Sequence, residues 1–196
     1  MPENPNKFNI YSDEQLMQFI CEGEDMAFEE LFIRYNKRLL GYFFRMLNFD
    51  KSLAEDALQD VFLKIAEAPQ KFKTSFSFKT WVFTIASNYC KNYYRHRQVV
   101  SENVVELKYL QNDIDESSFI KNANLIDAKK FRIKLDETLS KINPDKREAF
   151  ILKYQEEKTI AEIAQIQNCP EGSVKSRLHY TLKILEIELK IFNPTY

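Results

Sequence analysis

The sequence predicts an all-α protein made of two small helical domains, joined by an acidic, flexible linker. Its 196 residues include only three Gly and six Pro, a composition that favours helices. Apolar residues recur at helical spacing through most of the chain, and this spacing is lost between Gln98 and about Asn124, where acidic residues accumulate. We therefore expect domains at residues 1–98 and 125–196 and a linker at residues 99–124.

The first domain is expected to begin with two helices. Ser12 followed by Gln15 matches a capping box, in which each side chain satisfies a free backbone N–H at a helix start. This helix should end near Cys21, and Gly23 separates it from an amphipathic segment at residues 24–47. The apolar side chains of that segment recur at helical spacing and predict core packing: Phe28, Leu31, Phe32, Tyr35, Leu39 and Phe43.

Two further helices are expected to complete this domain. Ser52 followed by Glu55 matches another capping box, so a helix should start there and end near Glu67. Its predicted buried stripe consists of Leu53, Ala57, Val61 and Ile65. Residues 68–78 break the helical spacing and form a basic aromatic loop, and a fourth helix is expected from about Lys79 to Arg97.

The fourth helix has two contrasting faces. The side expected to pack consists of Val82, Ile85, Ala86, Tyr89 and Tyr93. The opposite stripe carries hydroxyls, an amide and cations without an acid, which suits phosphates and unpaired bases: Thr80, Thr84, Ser87, Asn88, Lys91 and Arg95. Phe72, Phe76 and Phe78 precede the helix, and they either stack on exposed bases or complete a small core.

The second domain is expected to start near Leu125. Its first helix places Phe131, Leu135 and Leu139 on one face. Asn143 followed by Pro144 marks the start of the next helix, because Asn is a favoured cap and Pro a favoured first residue. The side chains expected to line that helix are Ala149, Ile151, Leu152 and Tyr154.

A helix-turn-helix pattern covers residues 159–185. Thr159 with Glu162 forms a capping box, Asn168 tolerates the left-handed backbone that ends a helix, and Pro170 suits the start of the next one. The apolar face of the second helix is expected to be Val174, Leu178, Leu182 and Leu185. The remaining positions face solvent or DNA: Ser173, Lys175, Ser176, Arg177, His179, Tyr180 and Lys183. An amphipathic hairpin with a solvated basic face is the alternative.

Charge is segregated along the chain, although the formal net charge is only -1. Between Lys64 and Arg97 seven cations accompany a single acid, Glu67. Between Ser101 and Ser118 five acids accompany one lysine. This asymmetry predicts basic nucleic-acid-binding surfaces that are separated by an acidic tether.

The sequence offers little to an enzyme, a metal or a membrane. Cys21, Cys90 and Cys169 lie far apart, so neither a zinc site nor a disulfide framework is predicted. No Ser/His/Asp, Cys/His or phosphate-loop pattern is present, and we expect no catalysis and no cofactor. The amino terminus lacks a signal-peptide pattern and no apolar run approaches membrane-spanning length, which predicts a cytoplasmic protein.

Three motifs in this order resemble the extracytoplasmic-function sigma factors, which are two-domain promoter-specificity subunits of bacterial RNA polymerase. The motifs lie at Ala54–Leu63, Phe78–Asn88 and Glu171–Leu178, and the resemblance covers roughly residues 27–97 and 135–189. It implies that the chain binds core RNA polymerase through the clamp helices of the largest subunit and through the flap. It also implies recognition of two promoter DNA elements and initiation of transcription, and members are commonly inhibited by an anti-sigma factor.

The resemblance assigns a role to each motif. The residues implied to bind core polymerase are Glu55, Asp56, Gln59, Asp60 and Phe62. The residues implied to bind the minus-ten element, including a flipped base, are Phe72, Lys73, Trp81, Thr84, Asn88, Lys91 and Arg95. The residues implied to bind the minus-thirty-five element are Ser173, Lys175, Ser176, Arg177, His179, Tyr180 and Lys183.

Two details depart from the family pattern, and two other functions remain open. His179 and Tyr180 stand where further basic residues are common, and the cluster at residues 95–97 is less basic than usual. A stand-alone helix-turn-helix regulator would bind a palindromic duplex operator without polymerase. A protein-interaction antagonist with this fold would not need the basic stripe between Thr80 and Arg95.

Overall fold

The computed structural model describes residues 8–73, 77–101 and 123–192, and these contain α-helices and no strand. The helices are α1 (Asp13–Cys21), α2 (Asp25–Met46), α3 (Lys51–Glu67), α4 (Phe78–Ser101), α5 (Ala123–Lys141), α6 (Pro144–Tyr154), α7 (Ile160–Gln167) and α8 (Glu171–Glu188). Short 3-10 turns lie at Pro69–Lys71 and Lys190–Phe192. The all-α prediction is therefore confirmed.

The chain divides into two compact units, residues 1–106 and 107–196. The predicted linker overlaps the last residues of α4 and the first residues of α5, because α4 continues to Ser101 and α5 begins at Ala123. The rest of the linker lies outside the described residues, so its expected flexibility stays a prediction. None of the helices in the described ranges is long and apolar enough to cross a membrane.

The first unit packs α2, α3 and α4 around a common apolar core. Leu39 and Phe43 of α2, Val61 of α3 and Phe83 of α4 are all fully buried. The capping box predicted at Ser12 is present at the start of α1. This arrangement leaves one face of α3 and part of α4 exposed.

The helix start predicted at Ser52 is wrong by two residues. Asp50 caps α3 instead, because its carboxylate accepts a hydrogen bond from the backbone N–H of Leu53 at 3.0 Å. Asn48 and Phe49 adopt left-handed backbone angles just before it, with φ of 57° and 63°. The turn therefore ends at Asp50, which caps the helix. Ser52 already lies inside the first helical turn and cannot act as the cap.

The second unit packs α5 and α6 against α8. Leu139, Ile142, Phe150 and Leu185 form its apolar cluster, and Leu135 packs against them. Asn143 caps α6 with Pro144 in the first position, as predicted. Phe131 and Tyr154 are more exposed than expected, at 40% and 50%.

The helix-turn-helix has the predicted outline. Thr159 and Glu162 form the capping box of α7, and Asn168 ends that helix in the left-handed conformation. One predicted core position in α8 is wrong, since Leu182 is 42% exposed whereas Thr181 is fully buried. Val174, Leu178, Thr181 and Leu185 follow the spacing of one helix face. The Thr181 hydroxyl can be buried because it donates a hydrogen bond to the Arg177 carbonyl oxygen at 2.8 Å.

Candidate functional site

One face of α3 is exposed and acidic. Glu55, Asp56, Gln59 and Asp60 are all exposed, opposite the packed stripe of the helix. Leu63 lies one turn beyond Gln59 and Asp60 and is 56% exposed. Lys51 pairs with Glu55 at 3.8 Å, but both side chains are largely exposed, so this pair is weak. The face therefore offers negative charge to a basic partner surface, with one exposed apolar side chain beside it.

Phe62 lies behind this face rather than on it. Its side chain is buried, and its ring packs edge-on against the rings of Phe28 and Phe32, with centroids 5.9 and 4.8 Å away. Phe62 is only 5% exposed, and its expected contact with core polymerase stays a prediction. It packs α3 against α2, and within this cluster Phe32 is exposed and Phe28 is partly exposed.

The polar stripe predicted on α4 is narrower than expected. Asn88 and Arg95 are exposed, and Thr84 and Lys91 are partly exposed. Thr80 and Ser87, which were expected on the same stripe, are buried, at 3% and 0% exposure. The physical reason is that α4 packs against α2 and α3 at once, so Thr80, Phe83, Ser87 and Cys90 form a second buried row at helical spacing.

An aromatic cluster lies at the start of α4. Phe72 and Phe78 are buried, and both rings pack against Trp81, at 5.2 and 5.8 Å between centroids. Phe78 therefore belongs to the core, whereas Phe76 lies outside the described residues. Phe72 is only 7% exposed, and its expected contact with the minus-ten element stays a prediction. Lys73 is exposed and Trp81 is partly exposed, so these two can be reached from solvent.

The exposed face of α8 is polar and basic. It carries Lys175, Ser176, His179, Tyr180 and Lys183, with Ser173 partly exposed. The ammonium of Lys146, from α6, lies 5.1 Å from the centroid of the Tyr180 ring, which adds a cation beside the helix. Gly172 lies near the start of α8, and a Cβ added there would meet nothing within 4 Å. The face is therefore open at its N-terminal end, where a recognition helix contacts base edges.

Arg177 is held differently from its neighbours. Its guanidinium pairs with Asp145 at 2.7 Å and donates a hydrogen bond to the side-chain oxygen of Gln167 at 2.7 Å. It also contacts the Cys169 sulfur at 3.2 Å. No local sequence pattern predicts the ion pair, because Asp145 lies on α6, 32 positions earlier in the chain.

The start of α7 is fixed by a partly buried charge. Burial alone would raise the pKa of the Glu162 carboxyl, but hydrogen bonds from the Thr159 backbone and hydroxyl and the charge of Lys158 outweigh it, and the pKa is lowered to about 2. Lys158 is itself buried and pairs with Glu162 at 3.3 Å. The Glu162 carboxylate of the capping box therefore stays ionised at neutral pH. No cluster of His, Cys, Asp or Glu in the described ranges could hold a metal ion.

Comparisons with known proteins agree with this architecture. The family model of sigma-70 region 2 matches residues 31–99, and that of sigma-70 region 4 matches residues 132–185. The RNA polymerase sigma-H factor of Pseudomonas aeruginosa is 28% identical over 172 residues, which cover 85% of this chain and 88% of that protein. The RNA polymerase sigma factor CarQ of Myxococcus xanthus is 28% identical over 186 residues, covering 89% and 99%.

A solved structure supports the same fold. It is the sigma factor RpoE in complex with the anti-sigma factor NepR from Bartonella quintana, with a TM-score of 0.64 and 24% sequence identity. The similarity covers 84% of this chain and 97% of that one.

The two regions, in this order, define a two-domain promoter-specificity subunit of bacterial RNA polymerase. The chain belongs to the sigma-70 family and is a sigma factor of the extracytoplasmic-function type. It binds core RNA polymerase and promoter DNA and initiates transcription. Its relatives in this family are not enzymes. A stand-alone helix-turn-helix regulator is not favoured, because the match to region 2 accounts for the first unit.

Proposed function

We propose that the exposed acidic face of α3 is the surface that binds the clamp helices of core RNA polymerase. Glu55, Asp56, Gln59 and Asp60 supply negative charge and an amide, and Leu63 supplies an apolar contact beside them. A basic partner surface would be attracted to this face, and the apolar side chain would bury surface once the two meet. Phe62 supports this surface from behind.

We propose that α4 binds the minus-ten element after the DNA strands separate. The accessible groups are Lys73, Trp81, Thr84, Asn88, Lys91 and Arg95. Cations can follow the phosphate backbone, while an indole ring and an amide can stack on and hydrogen-bond to an unpaired base. Phe72 contributes by packing against Trp81 and so fixing the orientation of the indole.

We propose that α8 enters the major groove of the minus-thirty-five element. Lys175, Ser176, His179, Tyr180 and Lys183 share its exposed face, and Ser173 lies near its N-terminal end. Lysines neutralise phosphates, whereas the hydroxyl and imidazole groups can hydrogen-bond to base edges. His179 and Tyr180 are the positions at which this chain departs from the family pattern, so they are the candidates for its own promoter preference.

The wider assignments follow from this function. We infer that the chain acts in the cytoplasm, where polymerase and promoter are found, and that it has no catalysis of its own. The flap of core polymerase is a second contact for the region 4 unit. An anti-sigma factor is a further candidate partner, supported by the complex formed by the related RpoE of Bartonella quintana.

Transcription in vitro tests the proposal. Purified protein is mixed with core RNA polymerase and a library of genomic promoter fragments, and the transcripts are sequenced. We expect transcripts that require the protein and start downstream of two shared elements. Absence of both polymerase binding and factor-dependent transcripts would contradict the proposal, and tight binding to a palindromic duplex without polymerase would favour a stand-alone regulator.

A further inference from the structure

Arg177 joins the recognition helix α8 to two other helices of its unit. One guanidinium nitrogen, Nη2, pairs with Oδ2 of Asp145 in the first turn of α6 at 2.7 Å. The other, Nη1, donates to Oε1 of Gln167, the last residue of α7, at 2.7 Å. The side chain is only 22% exposed. A single residue of α8 therefore holds the start of α6 and the end of α7.

Gln167 extends this connection into the core. Its side chain is buried, and its amide nitrogen donates to the Asp145 carbonyl oxygen and to the Glu148 carboxylate, each at 2.9 Å. The amide oxygen then has Arg177 as its donor. The amide orientation is determined, because a flipped amide would place its N–H groups against the guanidinium.

These contacts direct the Arg177 guanidinium away from the exposed face of α8. Contact with DNA would require Arg177 to leave Asp145 and would deprive the buried Gln167 oxygen of its charged donor. Losing a hydrogen bond from a charged group at a buried site is costly. Lys175 and Lys183, which are exposed, can bind DNA without such a loss.

We infer that Arg177 is a positioning residue, which fixes the recognition helix relative to α6 and α7 instead of contacting promoter DNA. This inference rests on the proposed role of α8 at the minus-thirty-five element. Asp145 and Gln167 are its partners in that role. The positions of Lys175, Ser176 and His179 relative to the rest of the domain then depend on the ion pair.

Replacing Asp145 distinguishes the two roles by its effect on the preference for the correct minus-thirty-five element. Asp145→Asn removes a negative charge from a DNA-binding unit and releases Arg177. If Arg177 contacted DNA, both changes would strengthen binding and would not lower the preference for the correct minus-thirty-five element. If Arg177 positions α8, Asp145→Asn instead lowers the preference for the correct minus-thirty-five element, by about tenfold, the size of one lost base contact.

The experiment uses the full chain assembled with core polymerase and a promoter duplex obtained from the transcription assay. Affinity is compared with that for a duplex whose minus-thirty-five element is scrambled. Glu171→Gln is the matched control, because it removes an exposed acid from the first turn of α8 and leaves the ion pair intact. We expect Glu171→Gln to strengthen binding to both duplexes.

Two further variants keep the test independent of folding and of charge. Asp145→Glu retains the charge but displaces the carboxylate, so a positioning role predicts reduced discrimination and a DNA-contact role predicts none. The double variant Asp145→Asn with Arg177→Lys should discriminate between the two duplexes at least as well as the poorer of the two single variants. The reason is that both changes break the same interaction. Circular dichroism confirms that each variant is folded.

The outcomes distinguish a failure of the positioning role from a failure of the proposed function. Reduced discrimination in Asp145→Asn and Asp145→Glu supports the positioning role. Unreduced discrimination in Asp145→Asn, with binding to both duplexes strengthened as in Glu171→Gln, overturns it while the proposed function stands. A wild-type chain that shows no promoter-dependent binding with polymerase overturns the proposed function itself.

Discussion

The carboxylate of Glu14 in α1 accepts a hydrogen bond from the backbone N–H of Phe78, the first residue of α4, at 2.9 Å. The two residues are 64 positions apart in the chain. The first N–H groups of a helix have no partner within it, so Glu14 acts as a cap supplied by another helix. Because α4 carries the proposed minus-ten surface, α1 contributes to the position of that surface.

Removing this cap is expected to destabilise the first unit. Glu14→Ala should lower the free energy of unfolding by about 1 kcal/mol, the usual cost of losing a cap. Glu14→Gln should lose less, because its amide oxygen can still accept the bond. Glu24→Ala is the matched control, since Glu24 precedes α2 without a capping bond from its side chain. Urea unfolding of the full chain measures all three, and equal stability of Glu14→Ala and wild type would contradict the assignment.

Removing a buried hydroxyl from α4 is expected not to lower the free energy of unfolding, in contrast to removing the Glu14 cap. Ser87 is fully buried, and its Oγ has no hydrogen-bond partner among the described residues. Ser87→Ala should leave stability unchanged or raise it by up to about 1 kcal/mol, because an unsatisfied polar group is removed from the core. The contrasting variant is Thr181→Val, which deletes a buried hydroxyl that is satisfied by the Arg177 carbonyl oxygen.

Thr181→Val should therefore lose about 1 kcal/mol in the same unfolding experiment. A substantial loss of stability in Ser87→Ala would mean that its hydroxyl has a partner that matters for the fold.

The capping box of α7 predicts an acid-dependent loss of stability. The folded state lowers the pKa of Glu162 from its ordinary value of 4.5 to about 2. A lowered folded-state pKa contributes stability that is present above the unfolded value and is lost as pH falls. This contribution should therefore disappear between about pH 4.5 and pH 2.

The carboxyl carbon of Glu162 can be followed by NMR during an acid titration of the full chain. Its midpoint is expected near 2. Glu162→Gln should be less stable than wild type at neutral pH, and the difference should shrink over the same interval. A midpoint at the ordinary value, or a difference independent of pH, would contradict the proposed hydrogen bonds.

A substitution at Gly172 is expected to change folding stability and DNA binding in opposite directions. A Cβ added there meets nothing within 4 Å, so Gly172→Ala should stabilise α8 by about 0.5–1 kcal/mol through its better helix propensity. The same methyl group projects from the proposed DNA-binding end of the helix, so promoter affinity should fall. Gly41→Ala in α2 is the control, where the added Cβ would meet Nη1 of Arg45 at 3.4 Å.

Gly41→Ala is expected to leave recognition of the minus-thirty-five element unchanged. Thermal unfolding and promoter binding are measured on the same samples. A more stable Gly172→Ala with unchanged promoter affinity would place the DNA away from this end of α8.

Local patterns predicted the helices well because their determinants lie within a few residues. The capping boxes at Ser12 and Thr159 and the Asn143 cap are all present. Ser52 also matches a capping pattern, but Asp50 lies directly at the end of the preceding turn and is the residue that caps α3. A pattern of residue types cannot decide between two adequate caps that are two residues apart.

The unexpected burial at the candidate sites has a different origin, because it depends on contacts between distant segments. Thr80 and Ser87 are polar, so only the packing of α4 against two helices accounts for their burial. Phe62 and Phe72 are buried by rings that other segments supply. Arg177 belongs to the polar face by its spacing in α8, but it is only partly exposed because it pairs with Asp145 of another helix. Helical periodicity predicts a face, but the neighbouring elements determine how wide the buried part of that face is.

In the proposed function, polymerase binding and promoter recognition reside on separate surfaces of one chain. Two double variants test this separation, by their affinity for core polymerase and, in parallel, by the affinity of the assembled complex for the promoter. We expect Gln59→Ala with Asp60→Ala to weaken polymerase binding and retain promoter preference. We expect Lys175→Ala with Lys183→Ala to retain polymerase binding and weaken promoter binding. Equal effects of both variants on both affinities would show that the two surfaces are not separate.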